Sequence, residues 1–160
     1  MREIPLSRGM VSIVDDEDYE TVVAAGPWYA CPSRNTFYAH RNTPRPGGGR
    51  TTQQMHTLLT GWPLADHANG NGLDNRRENL RPATSSQNAM NRATPSDNTS
   101  GFKGISRSGL KWRAYVGVSG RQTYLGSFTT PEEAARAYDA AALHHYGEFA
   151  RPNFPQEVSA

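Results

Sequence analysis

TTPEEAARAYDAAALHHYGE, residues 129–148, carries the clearest local signal in the 160-residue chain. Thr130 stands where an N-cap hydroxyl accepts from the first turn, Pro131 follows at the first helical position, and Glu133 completes a capping box. Ala134, Ala137, Tyr138, Ala141, Ala142 and His145 recur at the i, i+3, i+4, i+7 spacing of one helical face. That face is mostly alanine, so the helix can lie close on a sheet, and Gly147 ends it. The sheet is supplied just upstream. FKGISRS, KWRAYVGV and RQTYLGSF are strand-like runs separated by Gly-containing turns. Residues 101–160 therefore predict a three-stranded antiparallel sheet packed on one helix.

Moving toward the N-terminus, ATPSDNTS at residues 93–100 is small and polar and reads as a linker. Before it come short β-like runs. MVSIV alternates, with Val11 and Ile13 on one side and Ser12 on the other, and TFYAH has the aromatic character of a strand. DDEDYETVVAAG predicts a short helix ended by Gly26, RPGGGR a loop, and TTQQMHTLLTGW a strand entering a helix. The expected class is α+β, with a small β-rich region over residues 1–54.

Composition narrows the function. The chain is 36% hydrophobic, with a mean hydropathy of −0.73. No apolar run reaches the roughly 20 residues that span a membrane, and the first residues lack an apolar secretory h-region. The expectation is a cytoplasmic protein, neither secreted nor membrane-bound. Cys31 is the lone cysteine, which excludes an internal disulfide and zinc sites built on paired cysteines. Net charge is only +2, but its distribution is uneven. Asp15, Asp16, Glu17, Asp18 and Glu20 cluster near the N-terminus. Between Gly101 and Gly126, by contrast, Lys103, Arg107, Lys111, Arg113 and Arg121 stand among aromatics without an acidic residue. Such a region is either a polyanion-binding surface or a solvated sheet face, and charge alone does not choose.

The other informative stretch is ADHANGNGLDNRRENLR, residues 65–81. Asn, Asp and Gly favour turns, so an ordinary loop is the first reading. An EF-hand is excluded, because Ala68 and Gly70 occupy positions that need side-chain oxygens. The downstream residues extend the pattern: Asn79 lies in ENLR and Asn88 in SSQNAMNR. A strand ending at Asp66-His67, a loop, a strand through NLRPA and a helix would bring Asp66, His67 and Asn88 together.

MHTLLTGWPLADHANGNGLDNRRENLRPATSSQNAMNR resembles the HNH (His-Me finger) homing endonucleases over residues 55–92, and the opening EIPLSRGMVSIVDDEDYE resembles the N-terminal extension often found with that family. The resemblance implies a ββα-metal module and a phosphodiester hydrolase. It assigns His67 as general base, Asn79 as the residue orienting that histidine or its loop, and Asp66 and Asn88 as ligands of Mg²⁺ or Mn²⁺. His56 resembles the first histidine of the motif, with a catalytic or structural role. No zinc is expected. Arg76 and Arg77 are expected at the DNA backbone. The chemistry is coherent: a neutral imidazole can take a proton from water, and oxygen donors suit a hard cation.

Residues 100–155 resemble the plant ethylene-response-factor (APETALA-two type) DNA-binding domain, on YLGSF, TT, EEAARAYD and the closing NFP. The resemblance implies a sheet lying in the major groove of double-stranded DNA, with Lys103, Arg107, Lys111, Arg113, Arg121 and Tyr124 on or near its DNA-facing side. ISRSGLKW departs from the plant pattern, being shorter and poorer in arginine, so the plant target sequence does not transfer. The expectation is a monomeric or homodimeric DNA endonuclease with an address-reading module at residues 101–160. Its rivals are a non-catalytic DNA-binding regulator on an HNH scaffold and a packaging protein.

Overall fold

A computed structural model describes residues 1–33, 36–92, 94 and 98–158. The chain divides into two units, Met1–Asn88 and Ala89–Ala160. Both are built from small antiparallel sheets with a few helices. The first unit takes in both residues 1–54 and most of the 55–92 stretch. Of the expected linker, residues 93 and 95–97 lie outside the described residues.

The first unit opens with a hairpin of β1 (Arg2–Pro5) and β2 (Val11–Val14). Ser12 and Val14 face inward and Val11 is exposed, so the apolar pair at Val11 and Ile13 does not define the core face. Ser12 can be buried because its hydroxyl is hydrogen-bonded at both ends, as described below. Helix α1 (Tyr19–Ala24) is shorter than the acidic stretch suggested. Asp18 precedes it without a side-chain cap bond, its carboxylate being taken by Arg77.

Strands β3 (Tyr29–Ser33), β4 (Thr36–Pro44) and β5 (Arg50–Gln54) form a meander. β5 runs into α2 (Met55–Thr60), which Gly61 closes in the left-handed conformation. Then come β6 (Ala65–His67), β7 (Leu80–Pro82) and α3 (Ser85–Met90). Ile4, Leu6, Val14, Val22, Trp28, Ala30, Ala39, Met55 and Leu59 make one core. It joins the hairpin, α1, the meander and α2, and so fixes α2, which carries His56.

The second unit follows its local signals closely. Strands β8 (Ile105–Ser108), β9 (Lys111–Val118) and β10 (Arg121–Phe128) pair antiparallel with β9 in the centre. Helix α4 (Pro131–Tyr146) starts on the full Thr130–Glu133 capping box and is capped by Gly147. A short α5 (Pro155–Val158) follows. Ala114 and Val116 of β9 bury against Ala134, Ala135, Tyr138 and Ala142 of α4.

The buried stripe of α4 is rotated from the one expected. Ala134, Tyr138 and Ala142 lie on it, but its flank is Ala135 and Asp139, while His145 is exposed. The cause is the C-terminal segment. The Asp139 carboxylate accepts from Asn153 N–H at 2.7 Å, Asn153 Nδ2 at 2.9 Å and Phe154 N–H at 2.9 Å. Asn153 in turn accepts from Lys103 N–H at 2.7 Å, tying the segment to the approach of β8. Gly104, at φ +78°, passes directly beneath Tyr138: a Cβ there would meet the ring at 2.1 Å. No helix among the described residues is long and apolar enough to cross a membrane.

Candidate active site and nucleic-acid interface

β6 and β7 pair antiparallel with Asp66 opposite Arg81 and His67 opposite Leu80. A three-residue ladder is too short to fix the long connection between them, and side chains do that instead. Asn79 Oδ1 accepts from Asn69 N–H at 3.0 Å, and its Nδ2 donates to the Asp74 carbonyl at 2.7 Å. Ala68 N–H donates to the Asn79 carbonyl at 2.9 Å. Asp74 is clamped by Arg76 through Nε at 2.8 Å and Nη2 at 2.7 Å, and this pairing holds its carboxyl below the usual range. Gly72 lies against β4, where a Cβ would meet the Phe37 carbonyl at 2.5 Å and the Tyr38 ring at 2.6 Å.

The loop also docks on the N-terminal hairpin. Ile13 N–H donates to the Leu73 carbonyl and Asn75 N–H to the Ile13 carbonyl, both at 2.8 Å. Asn75 is 1% exposed; its Nδ2 donates to Ser12 Oγ at 2.8 Å and its Oδ1 faces His67 Nε2 at 3.3 Å. Around His67 stand His56 and Tyr38, with ring centroids at 5.3 and 5.5 Å. Burial pushes the His67 imidazole pKa below its ordinary value, opposed by Asn75, Asp66 and Asp74. His56 is pushed down to about 4 by burial and by the neighbouring His67 and His40. Both imidazoles are thus held toward the neutral form.

Asp66 is 7% exposed and is met by Arg81 through Nε at 2.9 Å and Nη2 at 2.6 Å. From α3, Asn88 Nδ2 leans on the Ala65 carbonyl at 3.4 Å. Its Oδ1 is, among the described residues, the one buried side-chain atom with no hydrogen-bond partner. An amide oxygen in that condition beside a carboxylate-bearing strand fits a hard cation, which would supply the missing partner. A cluster of three or more His, Cys, Asp or Glu suited to a metal is not found among the described residues, so the fit rests on Asp66 and Asn88.

The fold brings His67 and His56 together, with Asp66 beside His67 on β6, and sets Asn88 of α3 against β6. Asn79 serves the loop. Arg76 is committed to Asp74 and Glu78, and Arg77 to Asp18 and Glu17. Sequence reasoning overlooked Ser12, Tyr38, Arg81 and the contact of Asn75 with His67. Arg81 was within reach, since strand pairing sets it opposite Asp66. Ser12 offered no local signal, lying 63 positions from Asn75.

In the second unit, register decides which cations share a face, because directly paired residues point the same way. Ala114 and Val116 face α4, so Lys111, Arg113 and Tyr115 of β9 face outward. Tyr124 pairs with Tyr115, their rings 5.4 Å apart, and joins them. Arg107 pairs with Trp112, and Arg121 with Val118, which puts both on the rim of the helix-covered side. The Arg107 guanidinium sits 5.9 Å from the Trp112 ring. Lys103 precedes β8 and donates to the carbonyls of Met90 and Arg92. Burial, with Arg151 and Arg92 nearby, pushes its ammonium pKa down to about 8. Of the six residues expected on or near the DNA-facing side, the outward face holds Lys111, Arg113 and Tyr124.

No family model matches the chain. Over 88 residues it is 40% identical to an uncharacterized HNH endonuclease of Acanthamoeba polyphaga mimivirus, the alignment taking in 55% of this chain and 46% of that protein. The chain thus spans less than half of that relative's length. Over 58 residues it is 45% identical to an ethylene-responsive transcription factor of Arabidopsis thaliana, covering 34% of this chain and 32% of the plant protein. Over 88 residues it is 40% identical to protein 3.8 of Escherichia phage T7, covering 54% of this chain and 72% of the phage protein. With most of the phage protein matched at that identity, the chain belongs to the family of phage T7 protein 3.8.

Proposed function

We propose that this chain is a metal-dependent DNA endonuclease of the HNH homing type, whose second unit holds duplex DNA in its major groove. One observation carries the reading: an orphaned, buried Asn88 Oδ1 set against the strand that bears Asp66 and His67. The HNH name of the mimivirus relative and the transcription-factor name of the plant relative support the two halves of the proposal.

His67, biased toward the neutral imidazole, is the group that takes a proton from the attacking water. His56, neutral above pH about 4, packs its ring beside the base without adding charge. Asp66 and Asn88 would hold Mg²⁺ or Mn²⁺, an all-oxygen pair that suits these ions better than zinc. Held by these two oxygens, such an ion would supply charge stabilisation for the phosphoryl oxygens and the departing 3′ oxygen. Lys111, Arg113 and Tyr124 on the outward sheet face would meet the DNA. One such site cuts one strand, so a double-strand break needs two subunits or two visits.

The likeness to plant transcription factors favours a second reading, a DNA-binding regulator that does not cut. Cleavage separates the two. Full-length protein is incubated with supercoiled plasmid carrying the DNA that flanks its own gene, with Mg²⁺ or Mn²⁺. Nicking is expected, and His67→Ala should slow it by about 10²–10⁴-fold, with Asp66→Ala comparably impaired. Wild-type protein that shifts the plasmid in gels but cuts under neither metal would overturn the nuclease reading in favour of the regulator.

A further inference from the structure

A chain of hydrogen bonds with a single direction passes by way of the N-terminal hairpin to the candidate base. It starts at the Leu73 carbonyl, which can only accept and is held in place by Ile13 N–H. The Ser12 hydroxyl donates to that oxygen at 2.9 Å. Met55 Sδ lies 3.3 Å from the same hydroxyl, but a thioether is the weaker acceptor. With its proton committed, Ser12 Oγ accepts from Asn75 Nδ2 at 2.8 Å. This turns the Asn75 amide so that Oδ1, which can only accept, faces His67 Nε2 at 3.3 Å. An imidazole nitrogen opposite such an oxygen must carry the hydrogen. Ser12 is 0% and Asn75 1% exposed, so protein groups rather than solvent set the direction.

We infer that Ser12 and Asn75 are positioning residues that fix His67 as the Nε2–H tautomer and so put its basic lone pair on Nδ1. The consequence for cleavage rests on the nuclease reading; the order of the hydrogen bonds does not. Ser12 makes the hairpin at the chain's beginning part of the catalytic apparatus, although it touches no reacting atom. Asn79, the residue expected to orient the histidine or its loop, secures the loop that carries Asn75.

The test is spectroscopic, on full-length protein with ¹⁵N-labelled histidine and no added metal. Long-range proton–nitrogen spectra near pH 8, where an ordinary histidine is neutral, should show His67 Nε2 at the protonated position and Nδ1 at the unprotonated one. Ser12→Ala frees the Asn75 amide to rotate, so both nitrogens should move toward averaged positions; Ser12→Thr, which keeps the hydroxyl, should restore the split. A wild-type spectrum with the hydrogen on Nδ1, or an unchanged split in folded Ser12→Ala, would overturn the inference. The wild-type spectrum decides by itself should Ser12→Ala fail to fold. In the cleavage assay, Ser12→Ala should lower kcat by about tenfold with KM unchanged and Ser12→Thr near wild type. The predicted split in a protein that does not cut DNA would sink the nuclease reading and leave the relay standing; cutting without the split would do the reverse.

Discussion

Buried polarity is distributed very differently in the two units. In the first, Ser12, Asp18, His56, Asp66, His67, Asp74, Asn75 and Asn79 are all buried; in the second, among the described residues, only Asn91 and Asp139 are. The second unit hides alanines beneath a sheet and displays its charge outward. Burying a polar group is tolerated only when its hydrogen bonds are met, so the first unit is a network in which each side chain depends on several others. The contrast fits the proposed division of labour, chemistry in the first unit and a binding surface in the second. Stability should accordingly rest on few residues in the second unit and respond to pH in the first.

The sharpest way to break that contrast is Asp139→Ala. It leaves Asn153 N–H and Phe154 N–H without their acceptor and takes one of two acceptors from Asn153 Nδ2, which also donates to the Lys103 carbonyl at 3.3 Å, and should destabilise the second unit by about 3 kcal/mol. Urea unfolding followed through the amide signals of α4 measures it; a loss below about 1 kcal/mol would mean that the C-terminal segment is not anchored there.

Comparable in size is a pH effect confined to the first unit. An unfolded His56 protonates near 6.5, whereas the folded one resists until about pH 4. The unfolded state therefore binds more protons in that window. The contribution to stability is fully present above pH 6.5 and is lost as pH falls toward 4, by about 3 kcal/mol. Thermal unfolding of wild type across this range should be steeper with pH than that of His56→Gln, while α4 signals of the two proteins stay alike. Equal slopes would show that His56 is not desolvated.

The smallest effects belong to the outward sheet face. Arg113→Ala should weaken duplex binding by about 1 kcal/mol and reduce the salt slope by about 1. Arg107→Ala, on the other side of the strands, should do less. Titration of a labelled duplex at several salt concentrations compares them, and a larger effect from Arg107 would reverse the assignment of faces.

Legibility follows the same division. The capping box at Thr130 and Glu133, the stop at Gly147 and the three strands were readable because they are signals within a few residues. The facing of Arg107 and Arg121 was not, since it depends on pairing with Trp112 and Val118 rather than on their own neighbours. In the first unit Asp66, His67, Asn79 and Asn88 could be picked out through the resemblance of their stretch to the HNH motif. What surrounds them could not, because Ser12 and Asn75, or Asp18 and Arg77, are far apart in the chain and meet only after folding.

The clip made by Asn79 has a consequence for recognition. Ordering a flexible backbone costs about 1–2 kcal/mol per residue in conformational entropy, and a loop that must be ordered on binding subtracts that from affinity. Here one amide, bonded at Asn69 N–H and the Asp74 carbonyl, keeps the span between β6 and β7 in shape before any ligand arrives. A ligand reaching this loop meets a surface already in place, and the free energy of its contacts goes into holding it rather than into arranging the protein.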